Sequence, residues 1–207
     1  MDMEKKNLNK GFSLVELIIV IAIMAILAAA VAPALIRYID KSRITDDVNT
    51  ASTIAKAVEL ALGEEQPWDD YMHNGPVQNV NWSSMIKQVS SNVDGQTQTY
   101  DVEIVATSTV SSNYAFSSGI RNGYMNEVFC NAVNANLGIS VLSDAESNRA
   151  KLPFKYRKIP DGGTARADHW IICKNIDTSE VEIWIATEGS NDPVYRITPN
   201  ICDEYNK

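Results

Sequence analysis

The chain has 207 residues, 45% hydrophobic and 21% charged, which suits one folded domain carrying an appendage and excludes a disordered chain. Its 18 basic and 26 acidic side chains give a net charge of -8. Residues 1–36 hold three of each sign, so the whole imbalance lies in residues 37–207. Such a body repels nucleic-acid phosphates, so no nucleic-acid binding by it is expected. Two histidines and three scattered cysteines leave little material for a zinc centre.

From Phe12 to Ile36 only Ser13, Glu16 and Pro33 interrupt an apolar stretch. As a helix it is about 37 Å long, enough to cross a hydrocarbon core of about 30 Å with some tilt. Lys5, Lys6 and Lys10 precede it and favour a cytoplasmic N-terminus, with the acidic body outside. A secretory signal peptide, a plain signal anchor and a buried core helix compete with this reading. Ala28-Ala29-Ala30 and Ala30-Val31-Ala32 offer small-residue cleavage sites, but the run is long for a signal peptide and Glu16 sits inside its start.

Glu16 separates these readings. A carboxylate at the middle of a membrane costs about 2.5–3.5 kcal/mol and normally has a partner. At helical spacing its neighbours are Phe12, Ser13, Ile19 and Val20, none of them basic. It either snorkels to the interface six residues past Lys10 or meets another cation. Cleavage after Gly11 creates such a cation, a new α-amino group on Phe12. That amine lies on the same helix face as Glu16 and serves it from its own chain or a neighbouring copy.

Lys10-Gly11-Phe12-Ser13-Leu14-Val15-Glu16, followed by an apolar helix with Pro33, resembles the class III signal of type IV prepilins. The resemblance covers about 50 residues and little of the rest. It implies a leader of residues 1–11, cleavage after Gly11 by a membrane-embedded prepilin peptidase, and N-methylation of Phe12. Glu16 then corresponds to the family's assembly carboxylate, paired with the amine of an adjacent subunit. Pro33 falls where filaments of that family lose helical order; the residue alone implies a kink or a local melt, and a simple kink fits equally well. The implied partners are copies of the chain in a helical filament, the peptidase, an assembly ATPase and a platform protein. The implied location is the cytoplasmic membrane before assembly and an extracellular pilus after it. No cofactor is implied.

Beyond Pro33, Ile44, Val48, Ala51, Ala55, Val58 and Leu62 recur at steps of three and four, one apolar stripe with Asp46 and Asp47 off it. A helix therefore runs from Phe12 to Leu62, about 75 Å, with Gly63 as its stop and Pro67 unable to continue it. Residues 12–36 form a membrane or filament-core segment, 37–62 an amphipathic segment, and 63–207 a head.

In the head, Trp82–Val89 reads as one or two helical turns, Tyr100–Ala106 as a strand and Asn122–Leu137 as a helix ended by Gly138. Leu152–Ile159, His169–Lys174, Val181–Thr187 and Val194–Thr198 are β-rich runs joined by turn residues, a meander of antiparallel neighbours. The expected class is α+β, a long helix on an antiparallel sheet, which agrees with the pilin fold.

Cys130 reads as a core thiol, and sequence leaves three pairings open among Cys130, Cys173 and Cys202. By resemblance to the C-terminal loop of many pilins, Cys173 pairs with Cys202; no bridge at all is the alternative. His73 and His169 have no supporting motif, Asp69-Asp70 is a weak calcium signal, and no catalytic or metal-binding set emerges. Trp68, Tyr71, Trp82 and Trp184, the last on an expected polar strand face with Glu182, either stack on a sugar or pack under loops. The leading reading is a structural subunit of a type IV pilus. A pseudopilin of a secretion or DNA-uptake machine, a tip adhesin for carbohydrate, and a monomeric anchored protein are its rivals.

Overall fold

The computed structural model describes residues 12–72, 86–108, 115–117, 127–139, 152–156, 166–190, 192–203 and 205. The chain divides into two compact units, Met1–Lys41 and Ser42–Lys207. One helix, α1 (Leu14–Leu62), contributes to both. In the first unit every described side chain from Phe12 to Ile39 is exposed. The helix there is long and apolar enough to cross a membrane, with a mean hydropathy of 3.0 over its most apolar window. Pro33 lies inside α1, and the helix continues through it. Proline removes one N–H donor, and here the flanking helical bonds carry the chain across that gap without a break.

In the second unit α1 buries Ile44, Asp47, Ala51, Ile54, Ala57, Val58 and Ala61. The seam is thus rotated from the expected stripe: Val48, Ala55 and Leu62 are only partly buried, and Asp47 lies inside it. Thr50, Ser52 and Thr53 face outward and donate their hydroxyls to carbonyls one turn back, so these polar residues are satisfied within the helix. Gly63 N–H closes α1 on the carbonyls of Glu59 and Leu60. The short α2 (Glu65–Met72) follows at once. Pro67, which cannot continue α1, occupies the first turn of this new helix, where no N–H is required.

The strands are β1 (Ile86–Val93), β2 (Gln96–Ser108), β3 (Phe116–Ser117), β4 (Ala167–Asn175), β5 (Val181–Thr187) and β6 (Tyr195–Thr198), with α3 (Glu127–Asn136) between β3 and β4. They form an antiparallel sheet in the order β1-β2-β4-β5-β6, with β3 paired to β2. The class is α+β, as expected. Ile86–Val89 is strand rather than helix, because Asp94-Gly95 turns β1 back onto β2. Asp94 at φ 52° and Gly95 at φ 75° supply the two left-handed residues that a two-residue hairpin needs, and Asp-Gly is a sequence signal for it. Residues 152–156 form no strand. Their backbone is committed elsewhere: Lys155 and Tyr156 N–H donate to Asp47 at 2.8 Å each, and Leu152 C=O accepts the Trp170 indole N–H at 2.9 Å. Residues 82–85 of the expected helical turns, 122–126 of the expected helix and 157–159 of the first expected β-rich run lie outside the described residues.

Alternation along the strands divides the core. Trp170, Ile172, Ile183 and Ile185 face α1 with Phe129 and Val133 of α3. Ile171, Cys173, Trp184 and Ala186 join Val89, Val102 and Ile104 in a second cluster on the other face. That face was expected to be polar at Glu182 and Trp184, yet both are fully buried. The sheet curls until its ends meet. Lys87 of β1 pairs with Asp192 before β6 at 3.2 Å, and Asp203 beyond β6 accepts the N–H groups of Asp94 and Gly95 at 3.0 and 2.7 Å. Inside, Glu182 accepts from Arg196, Asn175 and the Trp184 indole at 2.8, 3.1 and 2.8 Å, and Tyr100 lies over the guanidinium at 4.4 Å. A buried carboxylate so furnished is paid for in hydrogen bonds.

Asp47 ties α1, the 152–156 segment and the chain end at Tyr205 together within the second unit. Besides Lys155 and Tyr156, its carboxylate accepts the Tyr205 hydroxyl at 2.7 Å, and Tyr205 also donates to the Tyr156 carbonyl at 3.2 Å. Burial pushes the Asp47 carboxyl up and outweighs these bonds, which pull it down. Burial and the Asp47 charge push the Tyr205 hydroxyl up, so it stays a donor. Asp47→Ala leaves two backbone N–H groups and a phenol without their acceptor and should lower stability by about 2–4 kcal/mol in denaturant unfolding. Because the folded state binds the Asp47 proton more tightly than the unfolded chain, this titration favours folding fully below about pH 3.8. That preference is lost as pH rises through the elevated folded value. The stability of the wild type relative to Asp47→Asn should therefore increase as pH falls from neutrality toward 4.

Candidate functional site

Phe12 and Ser13 precede α1 in non-helical conformation, and Phe12 is 82% exposed. Ser13 is the N-cap. Its hydroxyl accepts the Val15 N–H at 3.3 Å, and its carbonyl accepts the first helical bond from Leu17 at 3.2 Å. Glu16 reaches back, and its Oε2 accepts the Ser13 N–H at 3.0 Å. The two residues thus form a reciprocal capping box. The carboxylate also sits at the positive end of the helix dipole, where negative charge is favoured. Sequence reasoning found Glu16 but missed this local partner, although Ser-x-x-Glu before an apolar run is a recognised signal. No other side chain from Phe12 to Ile36 is ionisable. Gly11 lies outside the described residues.

The cysteine expectation is not met. Cys130, Cys173 and Cys202 are all buried and none is joined in a disulfide. Cys130 lies in α3. Cys173 belongs to the inner cluster of the curled sheet and Cys202 to the cluster that faces α1, so the sheet's two faces separate the expected pair. Burial, reinforced by the Glu182 charge, pushes the Cys173 thiol well above its ordinary range and keeps it protonated. The tail after Thr198 is held instead by hydrogen bonds: Cys202 N–H to the Arg196 carbonyl at 2.9 Å, Asp203 N–H to the Asn92 carbonyl at 2.7 Å, and the Asp203 and Tyr205 side chains already described.

Among the described residues, Trp68, Tyr71 and Trp184 do not assemble into a sugar platform. Trp68 on α2 is 43% exposed, whereas Tyr71 is buried against Phe129 and Trp184 lies inside the sheet. Trp82 and His73 lie outside the described residues. His169, at the start of β4, is buried with Nδ1 3.2 Å from Asp168. Among the described residues no three His, Cys, Asp or Glu side chains converge as metal ligands.

Residues 6–32 match the family model of the prokaryotic N-terminal methylation motif. A fimbrial protein of Pseudomonas aeruginosa is 33% identical over 122 residues, which span 54% of this chain and 76% of that protein. The chain belongs to the type IV pilin family. A type IV major pilin of Neisseria gonorrhoeae is 31% identical over 117 residues, 56% of this chain and 63% of its own length. Fimbrial protein Q of Moraxella bovis is 50% identical over 58 residues, 28% of this chain and 37% of its own length. The chain therefore spans about two fifths to three fifths of these last two relatives. No solved structure matches it.

This pilin depends on polar contacts rather than a bridge to hold its C-terminal tail. Excess dithiothreitol should leave its thermal unfolding midpoint unchanged, whereas Asp203→Ala should lower it; calorimetry with and without reductant checks both.

Proposed function

We propose that this pilin is a filament subunit made as a prepilin. Residues 1–11 form its leader, 12–36 its membrane anchor and later filament core, 37–62 the segment that holds the head, and 63–207 the head. A prepilin peptidase cuts after Gly11 and the new amine of Phe12 is methylated. The observation that carries the reading is an apolar helical segment, exposed throughout, that begins with a single carboxylate one turn from that amine.

Residues 12–36 require an apolar environment, lipid before assembly and neighbouring subunits after it. Lipid tails are as apolar as leucine, so leaving the bilayer gains little from hydrophobicity itself. Close packing and polar pairing must supply the drive. Ala22, Ala25, Ala28, Ala29, Ala30, Ala32 and Ala34 give the helix small-residue surfaces that permit close approach of other helices. Glu16, pairing with the Phe12 amine of an adjacent subunit, supplies the charge contact that a membrane-buried carboxylate needs. Pro33 marks where α1 lacks a donor and where it would loosen on assembly.

The subunit sits in the cytoplasmic membrane with its N-terminus inside until an assembly ATPase and a platform protein move it into an extracellular filament. The copies of this chain are its main partners. The head carries no enzymatic role in this reading.

Mass spectrometry of sheared surface filaments tests the proposal, with Glu16→Ala and Glu16→Gln beside the wild type. The wild type should yield N-methyl-Phe12 as the N-terminus of abundant filaments. Both variants should be cleaved but yield at least about tenfold less filament, a loss of roughly 1.4 kcal/mol or more in assembly. Glutamine keeps the helix cap but not the charge. Wild-type yields from Glu16→Gln would show that capping, rather than charge pairing, is what assembly requires of residue 16.

A further inference from the structure

We propose that the second compact unit carries two opposite docking surfaces for a second copy of this chain. One is acidic and lies where α1 passes into α2; the other is basic and centres on the 152–156 segment. The inference deepens the filament reading above and rests on it. It is carried by the way charge is distributed in a chain of net charge -8. Residues 59–70 hold five acidic side chains and no basic one, whereas residues 149–158 hold five basic side chains and no acidic one.

The fold holds these runs apart. Glu59, Glu64, Glu65 and Asp69 are exposed, in company with Leu60 at 65% and Trp68 at 43% exposure. Lys155 is exposed as well, and its backbone N–H donates to Asp47 at 2.8 Å, one helical turn from the exposed Arg43. Asp46 and Asp47 are the acidic neighbours there, against Arg43 and a segment bonded directly to Lys151 and Arg157. From Asp47 to Glu59 the helix rises about 18 Å. Exposed charges are screened over about 8 Å at physiological salt, so the two surfaces scarcely act on each other within one chain. An anionic lipid or polysaccharide would answer the basic surface alone; a second copy answers both. Because the two patches differ, the contact is heterologous, the kind that repeats from copy to copy into an open helical array. The charges set orientation and register, and Trp68 and Leu60 add the apolar area that exposed ion pairs lack.

The test uses filaments sheared from cells shifted during growth from 14N to 15N medium, so that each filament contains both isotopes. A water-soluble carbodiimide, which joins a lysine amine to a nearby carboxylate as an amide, should link Lys155 to Glu64, Glu65 or Asp69. Mass spectrometry should find these links in mixed-isotope pairs, the mark of a contact between chains. Arg43→Glu with Lys155→Glu, and separately Glu59→Lys with Glu64→Lys, should each lower filament yield at least about fivefold. The four changes in one chain restore complementarity across a heterologous contact and should restore the yield. The Asp47 bond uses the Lys155 backbone, so the variants should accumulate in the membrane as the wild type does. Links in single-isotope pairs only, or Lys155 joined only to other carboxylates, overturn the inference. So do wild-type yields from either charge reversal. Loss of filaments in the basic-surface variant without rescue by the fourfold variant points to a different anionic occupant and equally overturns it. A wild type without sheared filaments overturns the filament reading itself, and this inference falls with it.

Discussion

The carboxylate of Asp47 is the contact on which the second compact unit depends. It sits in the buried seam of α1 and binds two backbone N–H groups of the 152–156 segment and the hydroxyl of Tyr205. Two segments that form no regular structure thus receive their partners from one helical side chain. An apolar residue at position 47 would fill the seam equally well but would leave those donors buried and unmade. The position of α1 on the sheet, the path before β4 and the end of the chain are therefore one coupled problem.

The same economy of polar contacts shapes the sheet. Its face away from α1 is not solvated, because the curl brings β1 against the loop before β6 and closes an inner cluster around Trp184. Glu182 and Arg196 enter that cluster as a pair, with Asn175, the Trp184 indole and the ring of Tyr100 completing their surroundings. Such a pair adds less stability than its charges suggest, since both were desolvated to make it. Its larger effect is on register: a slip of one residue would move Glu182 to the face of α1 and away from Arg196. Asp203, bonded to the Asp94-Gly95 turn, keeps the curl closed without a covalent bridge.

The N-terminal helix obeys a different constraint. Among the described residues of the first compact unit, nothing buries its apolar surface from Phe12 to Ile39. Ser13 and Glu16 determine how that helix begins, by capping its first turn.

Much of this was legible in the residues. The apolar run, the acidic position behind Gly11-Phe12 and the three-four periodicity after Pro33 are local patterns, and local patterns determine helices: α1 ends at Leu62 as its glycine implied. The turn residues between Val181 and Thr198 likewise placed β5 and β6, and even the missed capping box and the Asp-Gly hairpin were written in short motifs. Tertiary structure alone decided what faces what. Asp47 looked like a solvated charge because the donors it accepts from lie more than a hundred residues away. Glu182 and Trp184 looked like a polar face because alternation shows which side chains share a face, not whether that face is covered. Cys173 and Cys202 looked like partners until the sheet came between them, since pairing depends on three-dimensional separation and a sequence carries only order.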